Sequence, residues 1–367
     1  MGVYERALWP LLRRLDAETS HSLSIALLDG LQAIPAVDWA IERLLSFQDP
    51  RLRFTWRGLT FRNPVGLAAG VDKNARLPRI LRALGLGFIE VGTVTPMPQP
   101  GNPRPRVARL TSHHALVNRL GFPSHGMQRV ARNVKRLRLK QTPLGMNIGK
   151  NAATPLAQAT DDYLSCLRSL YSHGDYFVIN VSSPNTEGLT SLQAATTLSA
   201  LARAVIGEAQ ALAETRGQPR KPVLAKVSPD LSKDGLHAAI DASLEAGLDG
   251  LVAVNTSINQ GLRTSAGATI PGGISGEPLR ERAVEAVSLV RDQAPSDFFV
   301  LGVGGVFKAS HAWDLLRAGA NAVQMYTGLV YQGPGVIGEI NRGLVRLMDQ
   351  EGVGTIAEVT GGTKAKP

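Results

Sequence analysis

Between Val65 and Met325, short strand-like apolar runs alternate with helical patterns, and this alternation constrains the fold more than any other feature of the chain. The strand candidates are Val65–Ala68, Phe88–Val91, Leu144–Ile148, Tyr176–Asn180, Val223–Val227, Gly250–Val254, Phe299–Gly302 and Ala322–Met325. Helical patterns stand between them, for example Leu77–Leu84, Leu164–Tyr171, Ala194–Leu212, Gly235–Ala246, Arg280–Arg291 and Ala309–Arg317. Eight strands alternating with helices predict an α/β fold, a closed parallel (β/α)8 TIM barrel rather than an open sheet. Leu52 to Phe61 reads as a hairpin turning at Arg57-Gly58. No low-complexity linker divides the barrel, which spans 51–360, and 361–367 reads as a flexible tail.

The first 50 residues stand outside this pattern and read as a helical extension. Tyr4, Leu8, Leu11, Leu12 and Leu15 share one helical face, with Arg6 and Arg13 opposite. Pro10 must fall in the first turn of that helix or kink it. Thr19 or Ser20 is the expected cap of a second helix carrying Leu23, Ile25, Leu27, Leu28 and Leu31, apolar almost all round. Two readings stay open: a helical cap packed on the barrel, or a helix pair resting on a membrane surface.

Composition narrows the function. A single cysteine, Cys166, excludes an intrachain disulfide and argues against a cysteine-based metal site. The net charge of +10 favours acidic partners such as phosphates or anionic lipid. Nucleic acid is disfavoured, because no binding motif is present and only 5% of residues are aromatic. No run is apolar enough to span a bilayer, and Glu5, Arg6, Arg13, Arg14 and Asp16 rule out a signal-peptide core.

In a barrel of this kind the site lies at the carboxyl ends of the strands. Those ends carry Ala69-Gly70-Val71-Asp72-Lys73, then Thr93, then Asn118 to Phe122 on a long loop. Asn147, Asn180-Val181-Ser182-Ser183-Pro184-Asn185, Lys226 and Val254-Asn255-Thr256 follow. The last two strands add Gly304-Gly305 and Tyr326-Thr327, the usual place for a phosphate in these barrels. The recurring asparagines are neutral donor–acceptor groups suited to a flat ring with alternating N–H and C=O groups. No His/Asp/Glu cluster has metal-ligand spacing, so no metal is expected. The chemistry then falls to an organic cofactor or to a lysine.

Together, Ala69 to Lys73, Asn118-Arg119-Leu120-Gly121-Phe122, Asn180 to Asn185 and Asn255-Thr256 resemble dihydroorotate dehydrogenase of the quinone-dependent, membrane-associated class. The resemblance implies oxidation of dihydroorotate to orotate on FMN, in pyrimidine synthesis, with a ubiquinone-type acceptor. It places Ser183 as catalytic base, where soluble relatives carry cysteine. It assigns dihydroorotate to Lys73, Asn118, Arg119, Leu120, Gly121, Phe122, Asn180, Asn185, Asn255 and Thr256. FMN falls to Ala69, Gly70, Val71, Asp72, Lys73, Thr93, Asn147, Asn180, Lys226, Val254, Gly276, Gly305, Tyr326 and Thr327. His21, Arg109 and Tyr326 are expected near the quinone head, with residues 1–50 walling a tunnel. The implied location is peripheral, on the cytoplasmic face of the cell membrane. Two competing readings are a lysine-dependent, phosphate-substrate barrel lyase using Lys226 or Lys73, and a non-catalytic basic barrel binding anionic surfaces. Thr186 to Gln193 is a candidate lid.

Overall fold

The computed structural model describes residues 4–361 apart from 136, 138, 140 and 187, so tail residues 362–367 lie outside it. Eight parallel strands close a barrel: β1 (Val65–Leu67), β2 (Phe88–Val94), β3 (Leu144–Ile148), β4 (Tyr176–Asn180), β5 (Val223–Val227), β6 (Gly250–Ala253), β7 (Phe299–Val303) and β8 (Ala322–Met325). Neighbours in the barrel are neighbours in sequence, and β8 returns to β1 through Val323↔Val65 and Met325↔Leu67. The (β/α)8 expectation holds. The longest departure is β2, which runs three residues past Val91 to Val94 across a register shift against β3.

Sequence explains which end of the barrel is open. Strands β2, β4 and β7 begin with Phe88, Tyr176 and Phe299, whose rings fill the amino-terminal end with Val178, Leu224, Val252 and Leu301. Such rings fit because β1 and β3 carry glycine beside them. A Cβ on Gly66 would run into the Phe88 ring, and one on Gly145 into the Tyr176 ring. Beneath this layer lies the hairpin Phe54–Trp56/Leu59–Phe61. Positive φ at both Arg57 (44°) and Gly58 (77°) gives its turn the twist that two-residue hairpins prefer. Phe54 stacks on Phe61 at 4.6 Å and Phe61 meets Phe88 edge-on at 5.6 Å, so the hairpin seals the floor. Leu52 belongs instead to the short helical turn Pro50–Leu52.

The opposite end carries a second sheet that periodicity did not reveal. Val107–Leu110, Ala115–Asn118 and Gly273–Gly276 pair antiparallel, joining the excursion after β2 to the one after β6. Each strand is four residues long, too short for an alternation signal.

At the amino terminus the first expected helix is broken. A π-type turn, Tyr4–Leu8, precedes the four-residue helix Trp9–Leu12, with Pro10 in its first turn where a missing N–H is harmless. The second helix, α1 (Ala17–Leu31), is capped by Asp16 rather than by Thr19 or Ser20. Asp16 Oδ1 accepts the N–H groups of Glu18 and Thr19 at 2.9 and 3.0 Å, a carboxylate at the positive end of the helix. Ser20, a turn further on, donates to Leu12 O at 2.9 Å and ties the two helices together. Burial of α1 is one-sided. Ile25, Leu28 and Leu31 pack on the barrel core, while Leu23 and Leu27 stay 53% and 65% exposed. Leu8, Leu11 and Leu15, on the preceding segment, are likewise exposed, as are Trp39 and Leu44 of α2 (Val37–Leu45). Among the described residues no helix is long and apolar enough to cross a membrane.

Candidate active site

A cavity of about 1030 Å³, its open mouth included, lies at the carboxyl ends of the barrel strands. Residues from seven of the eight strand ends meet there: Gly70 and Lys73 after β1, Thr93 in β2, Asn180 and Ser183 at β4, Lys226 in β5, Asn255 after β6, Gly305 after β7 and Tyr326 after β8. The mouth sheet adds Asn118 and Gly276, and the loop beyond it adds Leu120 to Phe122. Ala69, Asn185, Val254, Thr256 and Thr327 complete the expected residues that line it.

Other expected residues lie elsewhere. Asn147 is fully buried in the barrel wall, touching Thr93 and Asn180 rather than the cavity. Asp72 is turned inward, where it accepts the N–H groups of Arg76 (2.9 Å) and Leu77 (2.7 Å) and so shapes the loop after β1. Val71 and Asp72 line a second cavity, between α1 and the barrel. Arg119 points outward, its guanidinium against the carbonyls of Pro105 and Pro103. Its backbone carbonyl is the part that matters, accepting Asn102 Nδ2 at 2.9 Å. His21 lines the second cavity and bonds Val71 O through Nε2 at 2.8 Å. Because a carbonyl only accepts, neutral His21 carries its proton on Nε2. Burial, with Lys73 nearby, lowers its pKa to about 4. Arg109 donates to Leu15 O at 2.8 Å and sits over the Trp9 ring, which packs in one cluster with Tyr326.

The electrostatics suit an anion. Lys73 lines both cavities; removal from water lowers its pKa to about 8, partly offset by Glu18. Glu18 is itself ion-paired with Arg106 at 2.6 Å and Arg104 at 3.1 Å. Lys226 is buried, and desolvation lowers its pKa against the opposing pull of Glu90. Ser183 is 5% exposed, and its Oγ accepts the Asn185 N–H at 3.3 Å, a contact that strengthens as charge develops on the oxygen.

Several site-building residues escaped the sequence reading. Asn102 bridges the carbonyls of Arg119 and Asn185 (2.9 and 3.0 Å), and Gln99 holds the Phe122 carbonyl at 2.9 Å. Both lie in the proline-rich stretch Pro98 to Pro105, whose irregular backbone was the available signal. Gln324 sits within β8, where nothing in the sequence pattern sets it apart, whereas Glu90 and Ser182 stand among the strand-end residues of the sequence but were given no role there. Thr186 to Gln193, the candidate lid, ends in the helical turn Leu189–Gln193, with Leu189 and Leu192 buried; Glu187 lies outside the described residues.

The cavity is suited to a planar heterocyclic cofactor on two counts. Gln324 Oε1 is buried against it with no hydrogen-bond partner among the described residues, an acceptor that a ring N–H would satisfy. Gly276, Gly304 and Gly305 hold positive φ values of 100°, 146° and 65°, leaving bare backbone at the place where such barrels hold phosphate.

Fold and site together define a (β/α)8-barrel enzyme whose cavity gathers neutral asparagines beside two buried or half-buried lysines. The chain belongs to the dihydroorotate dehydrogenase family, whose model matches residues 51–348. It is 42% identical to the dihydroorotate dehydrogenase (quinone) of Deinococcus deserti, over 98% of this chain and 99% of that one. Against the protein of the same name from Thermus thermophilus it is 45% identical, over 94% and 97%. The crystal structure of Eimeria tenella DHODH in complex with ferulenol superposes with a TM-score of 0.86 at 35% identity, covering 96% of each chain. Membership of the family implies a flavin cofactor.

Proposed function

We propose that this protein oxidises dihydroorotate to orotate on FMN and passes the electrons to a quinone, with Ser183 taking the proton from carbon. The observation that carries this reading is one cavity holding Lys73, Asn118, Asn180, Ser183, Asn185, Asn255 and Thr256 beside the glycines that follow β7 and the start of the helix after β8. Full-length similarity to quinone-linked relatives supports it.

The chain's residues divide the work by chemistry. Lys73 neutralises the substrate carboxylate, and the asparagines meet the ring's alternating N–H and C=O groups. Ser183 takes the proton from carbon as its own hydroxyl proton passes to water; the Asn185 N–H on its oxygen favours the negative, alkoxide-like character that makes it a base. Gly276, Gly305, Tyr326 and Thr327 would hold the FMN phosphate, and Lys226 the electron-rich edge of the ring system. FMN, when bound, supplies the hydride acceptor. Asn102 and Gln99 keep the mouth loop over the ring, because each binds backbone carbonyls of residues 119–122.

The helical extension, residues 1–50, is read as the quinone-side domain, with His21, Arg109 and Tyr326 near the quinone head. Its exposed leucines and Trp39, with Arg6, Arg13 and Arg14 alongside, suit shallow insertion into an anionic lipid surface on the cytoplasmic face of the membrane. Each leucine that leaves water would contribute about 1.5–3 kcal/mol.

An anaerobic visible spectrum of the purified protein tests the proposal. Dihydroorotate should bleach a flavin band and a short-chain ubiquinone should restore it. Bleaching without return would remove the quinone assignment. A protein that cannot take up FMN at all would remove the whole reading.

A further inference from the structure

The carboxylate of Glu90 plays no part in the reaction above, yet it is wholly enclosed inside the barrel. Each of its oxygens accepts one side-chain amide. Asn147 Nδ2 lies 2.8 Å from Oε1, and Gln324 Nε2 lies 2.6 Å from Oε2. A carboxylate can only accept, whereas a primary amide has one donor end and one acceptor end. Glu90 therefore forces both amides to turn NH2 inward and oxygen outward.

The consequence runs across the barrel. Asn147 Oδ1, facing away from Glu90, accepts the Thr93 hydroxyl at 2.5 Å and Asn180 Nδ2 at 3.2 Å. Asn180 also donates to Thr93 Oγ1 at 2.9 Å, so its own oxygen is left for the N–H and hydroxyl of Ser182, both at 3.3 Å. Ser182 Oγ, its proton spent on Asn180, accepts Asn255 Nδ2 at 3.0 Å. Asn255 Oδ1 then accepts the Thr256 N–H at 2.9 Å. On the other branch, Gln324 Oε1 is left bare against the cavity. Every donor in the series points toward Glu90, from β6 through β4 and β3 on one side and from β8 on the other.

We propose that Glu90 is a positioning residue that sets the hydrogen-bond direction of the site floor, so that Gln324, Asn180 and Asn255 each offer a single fixed pattern to the rings above them. The inference deepens the dihydroorotate and FMN reading and rests on it. An amide is nearly symmetric in shape, so packing alone would let each one flip. A buried acceptor with no donor of its own removes that freedom, and the chain of bonds carries the choice outward.

The test is the substitution Glu90→Gln and the exchange that combines Glu90→Gln with Asn147→Asp. E90Q alone brings an NH2 group against an amide NH2, so one branch must reverse or lose a bond. In the exchange, the introduced glutamine donates to the introduced aspartate and accepts from Gln324. That aspartate still accepts from Thr93 and Asn180, which restores the original direction throughout. FMN-loaded wild type, E90Q and the exchange are titrated with orotate, read as a shift of the flavin absorbance, and FMN affinity and Tm are measured on the apoproteins.

The expected result is a loss of orotate affinity on the order of tenfold to a hundredfold in E90Q, recovered to within about threefold in the exchange. A Tm drop with unchanged orotate and FMN binding in E90Q would mean a packing role only and would overturn the proposal. So would an exchange protein that folds but binds as weakly as E90Q. Should E90Q fail to fold, the exchange decides alone: near-native binding supports the proposal, and weak binding overturns it. Wild type that takes up FMN but not orotate would sink the functional reading and the inference together.

Discussion

Raising the pH should loosen this protein's hold on its anionic ligand long before an ordinary lysine titrates. Lys73 is the charge concerned. Loss of hydration lowers its pKa to about 8; Glu18 and Asp72 pull it back up, and Arg106 pushes it further down. Only the protonated ammonium attracts a carboxylate, so affinity is full below that value and fades above it. The dissociation constant scales with one plus the ratio of neutral to charged lysine. That factor grows about tenfold between pH 7 and pH 9, whereas a lysine near 10.4 would leave it almost unchanged. Orotate is the ligand to titrate, because its binding involves no proton transfer from carbon and so leaves Ser183 out of the measurement. Lys73→Met should bind orotate more weakly and show no break in this range. Glu18→Gln removes a charge that supports the ammonium, so its break should move to lower pH. A wild-type profile flat up to pH 9.5, or a break that survives in K73M, would refute the reasoning.

Four further outcomes rest on the same geometry. Ser183→Ala should slow flavin bleaching by dihydroorotate about 10²- to 10⁴-fold while orotate still binds; slowing of less than tenfold would remove Ser183 as base. Lys226→Met should lower the flavin reduction potential, since it deletes the positive charge expected near the reduced ring; an unchanged potential counts against that placement. Leu23→Asp with Leu27→Asp should release the protein from anionic vesicles without lowering Tm, because both side chains already face solvent; retained binding would show that this face does not meet lipid. Gly145→Ala should cost about 1–3 kcal/mol of stability, read by denaturant unfolding, because the new methyl group meets the Tyr176 ring.

Much of the barrel was legible in the chain because it rests on local periodicity. A buried strand and the helix after it each carry their own signal, and eight repeats leave few other closures. The residues of the cavity were legible for a related reason: in this fold the carboxyl end of every strand faces the same space, so reading strand ends in order is reading the lining. Where the reading slipped, a non-local contact had intervened. Ser20, expected as a cap, instead lies inside α1 and donates to the Leu12 carbonyl of another helix, while Asp16 takes the cap through the Glu18 and Thr19 N–H groups. Arg119 faces outward because the Pro105 and Pro103 carbonyls take its guanidinium, leaving its backbone carbonyl to Asn102 of the same loop.

By itself, then, the sequence determined the strand and helix order, the end of the barrel that holds the site, and the chemical types gathered there. The tertiary structure alone decided three things. It left α1 apolar on its open side, because the barrel core covers only one face of that helix. It brought Glu18 to Arg106 and His21 to the Val71 carbonyl, joining the extension to the loops around Lys73. And it placed Glu90 between Asn147 and Gln324, where a carboxylate's inability to donate decides which way the amides must turn. No periodicity encodes such pairings, since each depends on strands and helices meeting across the closed barrel.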